Sequence, residues 1–520
     1  MPTGINRLKD LRRLTTFVVG KDSGARIAEL RDLSHLQGAL SILNLQDVVN
    51  AMDALDANLK KKENLDDLVF AWDPMQLMVI RRIKLEFSKS FSLIPRDCKS
   101  CSSLPPLGQL QSLKDLHIVK MDEVQKVGAE LYGNNGCSSS SELYIKKCPK
   151  LKGDMPKHLP LLTKLEISEC GQLVSCLPMA PSICELKLEE CEDVVLKEMP
   201  LILHNLISLE ILGIEGCPIL ESLPDGMMQN NTTLQHLQIL NCGSLRSLPR
   251  DIDSLKTLSI IWSRKLELSL LEDMTHNHSA TLTRLSIYDS CDSLTSFPLA
   301  FFTKLEALGI GVVQIWRGLP TPNLRELVII DCEKLKSLPQ GMHTFLTSLH
   351  YLYISNCPVI DSFPEGGLPT NLSELDIRNC NKLVACRMEW GLQMLSFLRS
   401  FWIGELGEER LESFPEEQFL PSTLTSLSIR DIPNLKSLDN KGLKHLTSLE
   451  TLMINNCERL KSLPKQGLPS SLSCLYIRGC PPLKKWCQKD KGKKWPSISH
   501  IPCIVIVNEN GLSNEEVILS

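Results

Sequence analysis

Two cysteines, Cys98 and Cys101, have the C-x-x-C spacing that zinc binding and dithiol redox chemistry both use, because it lets two thiolates converge on one atom. No second such pair and no suitably spaced histidine pair accompanies them. Cys101 runs into Ser102, Ser103, Leu104 and Pro105, which reads as a degenerate copy of a repeat with Cys98 as its structural cysteine. His276 and His278 flank Asn277 as a lone polar pair in a connecting loop, too few ligands for a metal. Gly20-Lys-Asp-Ser-Gly24 lacks both the spacing of a phosphate loop and the lysine that follows one. Neither a Gly-x-Ser-x-Gly elbow nor an H-E-x-x-H helix occurs, and the many carboxylates read as solvated surface. The expectation is a protein that is not an enzyme and uses no metal or cofactor.

The other cysteines point to architecture. Of 520 residues 91 are leucine, against 26 for Phe, Trp and Tyr together, and a core drawn so heavily from one residue type implies a repeated motif. From Leu209 to Pro224 the chain reads Leu-x-x-Leu-x-Ile-x-x-Cys-x-x-Leu-x-x-Leu-Pro. The frame returns at Leu234–Pro249, Leu324–Pro339, Leu349–Pro364 and Leu449–Pro464, with partial copies beginning at Leu113, Leu162, Ile183, Leu255, Leu282, Leu305, Leu372, Leu398, Leu424 and Leu472. From Leu324 onward the spacings are 25, 23, 26, 26, 25 and 23, the period and pattern of a leucine-rich repeat. Within each copy the alternation Leu-x-Ile turns apolar residues to one face of a short strand, and one repeat cannot bury that face alone. Stacked in parallel about 4.8 Å apart, the strands bury a continuous leucine core. The fold expected is therefore α/β: a leucine-rich-repeat solenoid, or horseshoe, with short parallel strands on its concave face and irregular or short-helix connections on its convex face.

Cys148, Cys170, Cys191, Cys217, Cys242, Cys332, Cys357, Cys380, Cys457 and Cys480 each fall three residues after the last apolar residue of a strand. A small, readily buried thiol with a weak S–H donor suits an inward position that bonds the backbone of neighbouring turns. Half of the 20 cysteines are then reduced core residues, as in the cytosol, rather than a secreted disulfide framework. Connections differ in kind. Pro339 to Leu349 has room for a helical turn, whereas Pro364 to Leu372 carries two prolines and two glycines that resist helix.

The working surface of such an array is its strand face. Outward residues singled out there are Glu166, Glu169, His236, Tyr288, Tyr351, Tyr353, Arg378, Trp402, Arg430, Tyr476 and Arg478. Aromatics and arginine most often anchor protein interfaces; Tyr351 and Tyr353 share a strand, and Arg378, Arg430 and Arg478 share one repeat position. Divergent repeats are read over 1–74, degenerate repeats with irregular loops over 75–142, regular repeats over 143–483, and a basic cap and tail over 484–520. Three stretches break the frame: Met75 to Cys98, the polar run Asn134 to Leu143, and the copy at Leu305, whose successor begins only 19 residues later through Ile315-Trp-Arg-Gly-Leu-Pro320. Local looping explains them, or the loss of segments from a longer parent chain; 19 residues, short for this array, favours the second.

The charge, 57 basic against 61 acidic residues and a net −4, excludes a polybasic nucleic-acid binder. No apolar run approaches the roughly 18 residues of a membrane helix, and the polar start from Met1 does not look like a signal peptide. A cytoplasmic chain is expected, with the nucleus left open, so the sequons at Asn230, Asn231, Asn277 and Asn371 read as chance. Six lysines within Lys484–Trp495 read as a polar cap on the end of the core, with contact to phosphate or an acidic partner domain as the alternative.

Nonrepetitive strings carry a resemblance. The opening Met1-Pro-Thr-Gly-Ile-Asn-Arg-Leu-Lys-Asp-Leu-Arg-Arg-Leu-Thr-Thr-Phe-Val-Val-Gly20, then Leu36-Gln-Gly-Ala-Leu-Ser-Ile42, Leu65-Asp-Asp-Leu-Val-Phe-Ala-Trp72, Leu104-Pro-Pro-Leu-Gly-Gln-Leu110 and the closing Trp495-Pro-Ser-Ile-Ser-His-Ile-Pro502 are similar to the repeat region of plant coiled-coil nucleotide-binding leucine-rich-repeat disease-resistance proteins. The resemblance implies an intracellular immune receptor whose repeats sense a pathogen effector, or a host protein the effector has altered, and restrain a nucleotide switch. That switch would be a nucleotide-binding domain acting in cis or in trans. No phosphate loop or other switch motif lies in these 520 residues, so ATP binding and oligomeric activation are not carried over. Three other readings stand beside it. An extracellular repeat receptor or inhibitor would need a signal peptide, paired terminal cysteines and Gly-x-Ile-Pro within the repeats. A ubiquitin-ligase adaptor would need an N-terminal helical docking motif that Met1 to Leu30 does not supply. The third is a truncated, non-signalling decoy or relic.

Overall fold

A computed structural model of the chain describes residues 3–21, 24–44, 47, 56–59, 62, 64–71, 92–93, 115–119, 142–151, 162–170, 181–191, 203, 206–223, 232–249, 254–267, 281–292, 294–311, 313–318, 322–407, 411–464, 467–487, 498, 500–507 and 516–519. Cys98, Cys101, His276, His278 and most of the irregular stretches 75–98 and 134–143 lie outside the described residues, as does 488–495 of the basic segment. The chain divides into two compact units, 1–255 and 256–520.

In the first unit β1 (Thr16–Val18), β2 (Gly38–Leu43) and β3 (Leu65–Ala71) form a parallel sheet. A second parallel run joins β4 (Ser92–Leu93), β5 (Asp115–Val119), β6 (Glu142–Lys146), β7 (Lys164–Ser168), β8 (Glu185–Glu189), β9 (Ile211–Glu215) and β10 (His236–Leu240), each beside its successor. The alternating pattern sets the register. Leu186, Leu212 and Leu237 align across β8, β9 and β10 and are fully buried.

The second unit continues the same construction. It stacks β11 (Thr257–Ile261), β12 (Arg284–Tyr288), β14 (Ala307–Gly311), β16 (Glu326–Ile330), β17 (Tyr351–Ser355), β18 (Glu374–Arg378), β19 (Ser400–Gly404), β21 (Ser426–Arg430), β23 (Thr451–Asn455), β24 (Cys474–Arg478) and β25 (Cys503–Val507) in parallel. An antiparallel strand, β26 (Glu516–Leu519), adds to the edge of β25. The returns between strands are short. Helices α1 (Met342–Phe345), α2 (Asn381–Ala385), α3 (Asn440–His445) and α4 (Pro481–Cys487) alternate with extended segments. Two pairs of those segments zip into small parallel sheets of their own: β13 (Ser296–Pro298) with β15 (Ile315–Arg317), and β20 (Ser413–Phe414) with β22 (Ser437–Leu438). This is a leucine-rich-repeat solenoid.

Two rows of residues lock one turn to the next. The ten cysteines of the repeat frame are 0–3 % exposed, and their thiols lie against backbone carbonyls. Cys170 donates both to Ser168 O at 3.1 Å and to Ile145 O of the preceding turn at 3.6 Å. The second row is the residue that follows a strand, held at a left-handed φ, as at Lys147, Glu169, Glu190, Gly216, Trp262, Asp331, Asn356, Asn379, Glu405, Asp431, Asn456 and Gly479. From this conformation its N–H reaches the last carbonyl of the next strand, as Asn356 does to Arg378 O at 3.1 Å and Glu405 to Arg430 O at 3.0 Å. Side chains add a third link where the row is polar. Asn356 Nδ2 donates to Asp331 Oδ1 at 2.5 Å, and Asn456 Nδ2 to Asp431 Oδ1 at 2.7 Å.

The 19-residue copy at Leu305 stacks in full register, Leu308 against Leu327 and Ile310 against Ile329. Its return is the extended β15, which pairs with β13 of the preceding turn. Phe297 packs on Phe302 at 5.3 Å and on Trp316 at 6.0 Å to fill the space behind it.

Two outcomes follow. Leu352, fully buried between Leu327 and Leu375, should cost about 2–5 kcal/mol on truncation to alanine, measured by chemical denaturation. Lys62 is 5 % exposed and donates to Leu33 O at 2.6 Å, and burial lowers its ammonium to about 8, Asp32 pulling the other way. The unfolded chain then holds more protons than the folded one between about pH 8 and about pH 10.4, so stability gains as pH rises through that window. The stability of wild type minus that of Lys62→Met should climb over it; a flat difference would mean Lys62 is solvated.

Candidate functional site

Positions one, three and five of each strand leave the sheet on the face away from the leucine core, and in the second unit they form a continuous surface. Across β14 this face is nearly bare: Ala307, Gly309 and Gly311. Tyr288 of β12 fills the slot. A Cβ on Gly309 would stand 1.8 Å from the tyrosine hydroxyl, so only glycine lets the ring lie there, and burial pushes that hydroxyl up to about 12. Arg284 reaches over Ala307 to Glu326 at 3.4 Å.

Beyond the slot stand Tyr351 and Tyr353 on β17, Asp376 and Arg378 on β18, and Trp402 on β19, with Tyr353, Asp376 and Trp402 aligned in register. Asp376 is 4 % exposed and accepts a two-pronged contact from Arg378, Nε at 3.0 Å and Nη2 at 2.6 Å. Burial pushes its carboxyl up from the ordinary range, and the Arg378 guanidinium pulls it back. The guanidinium also lies 5.2 Å from the centre of the Tyr353 ring, a cation–π contact, and 3.7 Å from Glu405. Glu405 is 3.8 Å from Arg430, which is bonded to Asp431 at 2.7 Å. Of the three arginines that share a repeat position, Arg378 is thus bonded within the sheet, while Arg430 stays exposed beside Asp431. The Arg378 guanidinium holds the Tyr353 ring in place, and Tyr351, Tyr353 and Trp402 stand half-buried on the same face. Arg325, His350, Glu374 and Trp402 border an open depression of about 770 Å3 between them.

The remaining candidates are scattered. Arg478 ends β24 exposed, beside Asp431, Asn456 and Glu458, and Tyr476 is half-buried at the centre of that strand. His236 opens β10, half-buried, in the other unit. Two expectations need correction. Glu166 sits at the outward centre of β7 yet is only 7 % exposed, because Lys146 of β6 closes on it at 2.5 Å and Lys187 of β8 approaches to 3.9 Å. Lys187 in turn reaches Glu215 at 3.2 Å, so this stretch of the face satisfies its own charges. Glu169 is not a strand residue. It occupies the left-handed position after β7, where its carboxylate pairs with Lys147 at 2.8 Å.

Asp376, Glu405 and Trp262 are the residues the sequence reading passed over. For Asp376 a signal existed, an aspartate between the two apolar residues of a strand with arginine two places on, hence on the same face. Trp262 follows β11, is 56 % exposed and holds a left-handed φ that large side chains rarely adopt. The sequon residue Asn371 is a backbone clamp: its Nδ2 donates to Thr347 O at 2.7 Å.

Fold and site together define a leucine-rich-repeat protein-interaction module. The family described as R13L1/DRL21 leucine-rich repeats matches residues 27–90. A protein of Arabidopsis thaliana named for disease resistance is 27 % identical over 91 % of this chain and 51 % of its own length. That alignment runs over 733 positions, more than the 520 residues of this chain, so the relative carries segments without counterpart here. Disease resistance protein RGA2 of Solanum bulbocastanum is 27 % identical over 47 % of this chain and 27 % of its own. The chain spans about half the length, or less, of these relatives. Among solved structures, that of a complex of TLR13 with ssRNA13 aligns with 17 % identity and a TM-score of 0.46, over 96 % of this chain and 65 % of that one. The chain is a leucine-rich-repeat solenoid similar to the repeat regions of plant disease-resistance proteins. Among the described residues no helix is long and apolar enough to cross a membrane.

If Arg378 serves to carry Asp376, Arg378→Ala should cost about 1–3 kcal/mol by leaving a buried carboxylate unpaired, and adding Asp376→Asn should return part of it. Strictly additive losses in the double-mutant cycle would show the two are uncoupled.

Proposed function

We propose that this chain is a protein-recognition module of plant innate immunity that binds a pathogen effector, or a host protein altered by one, on the outward face of β16 to β19. The observation that carries this is Tyr351, Tyr353 and Trp402 held half-buried round a fork of Asp376 and Arg378. Rigid aromatic rings contribute large contact area at little entropic cost, and they dominate the energetics of protein interfaces. The disease-resistance names of its relatives supply the setting. In this reading the protein acts by binding and not by catalysis, needs no cofactor, works in the cytoplasm, and couples to a nucleotide-binding domain in cis or in trans.

A bait experiment tests it. The chain and a Tyr351→Ala/Trp402→Ala variant with the same Tm are presented to extracts of infected and healthy plant tissue. Wild type should enrich a pathogen protein or a host protein at least about ten-fold over the variant, the effect of losing roughly 1.4 kcal/mol of binding. Equal recovery by both baits would place recognition elsewhere on the molecule.

A further inference from the structure

Cys474 opens β24 and Cys503 opens β25, and the two are register partners in adjacent parallel strands. Both stand on the outward face: Leu475 and Ile504 behind them are fully buried, while the two thiol-bearing residues are half-buried. Their setting differs from that of the inward cysteine row, whose members are sealed in the core and bonded to backbone carbonyls. The inward cysteines also face one another from turn to turn, but buried; Cys474 and Cys503 face one another on the half-buried outward side, and burial, with Cys503 beside it, pushes the Cys474 thiol up from its ordinary value. Cys184, half-buried like them, stacks between Thr163 and Glu210 and has no cysteine in register.

Neighbouring parallel strands hold partner Cα atoms about 4.8 Å apart, within the roughly 4.4–6.8 Å that a disulfide spans, and both side chains leave the sheet in the same direction. We propose that Cys474 and Cys503 form an oxidisable dithiol that closes to a disulfide under peroxide, clamping the last two parallel strands together. One sulfur, as thiolate, attacks a peroxide oxygen; the O–O bond breaks, the departing oxygen leaves as water, and a sulfenic acid forms. The second sulfur attacks the sulfenic sulfur, the S–S bond forms and the S–O bond breaks, and the thiol proton leaves with the hydroxide as a second water. Two thiols lose two electrons and one peroxide becomes two waters. The loop so closed, residues 475–502, contains α4, which the link ties to β25.

The test uses the full chain, reduced, freed of reductant, exposed to hydrogen peroxide, then alkylated, digested and read by mass spectrometry. The linked peptide pair joining Cys474 to Cys503 should appear, lighter by two hydrogens, and vanish on reduction with dithiothreitol. Free thiol at these two positions should be lost at least about five-fold faster than at Cys148 or Cys380 in the core row. Cys474→Ser should abolish the link and leave Cys503 as a stable sulfenic acid that a dimedone probe captures. Two results overturn the proposal: full alkylation of both cysteines after peroxide, or their conversion to separate sulfinic acids without a linked pair.

Discussion

Every turn of this protein is obliged to sit about 4.8 Å from the next, because a strand with one apolar face and five residues has nothing of its own to bury that face against. The spacing makes leucine stack on leucine and cysteine on cysteine. It also forces the residue after a strand into a left-handed conformation, from which its N–H reaches the next turn. For Trp262, Glu169, Glu190 or Glu405 that conformation costs about 1–2 kcal/mol. Leaving a buried N–H unpaired costs about 1–3 kcal/mol and would also loosen the following turn, so the strained geometry is kept. Asn and Asp recur in this row because they tolerate the left-handed region and add side-chain bonds along it, as Asn356 does to Asp331.

Once stacking is fixed, the outward positions are free to vary, and the two units use them differently. In the first, lysines and glutamates alternate across strands and neutralise one another, Lys146 with Glu166 and Lys187 with Glu215. Such a surface holds little in reserve for a partner. In the second, bare residues on β14 admit Tyr288, and the Asp376–Arg378 fork props Tyr353, leaving aromatic rings at the surface. A carboxylate as buried as Asp376 is costly unless fully bonded; its place here is as a brace for rings and not as a stabilising ion pair in its own right.

The fold was legible because the alternation Leu-x-Ile and the cysteine three residues on are both set by the stacking, and stacking repeats. The left-handed row was harder to read, since Lys147, Glu169, Glu190, Trp262 and Glu405 interrupt its Asn, Asp and Gly residues, and the backbone bond at that position needs no particular side chain. The outward placement of Tyr351, Tyr353, Arg378 and Trp402 was legible too, from the same alternation. What pattern reading lacked was the neighbour across the strand gap. Glu166 reads as a free carboxylate until Lys146 and Lys187 are placed beside it, and Arg378 as a free cation until Asp376 is seen beneath it.

The central claim is the division between an inward row that builds the array and an outward row that is available to a partner. Hydroxyl-radical footprinting of the isolated chain reads it directly, side chain by side chain. The account predicts oxidation of Tyr351, Tyr353, Trp402 and Tyr476, with Leu352, Ile354, Phe401 and Ile403 silent between them. A silent Trp402 beside a labelled Phe401 would reverse the face of β19 and contradict the account.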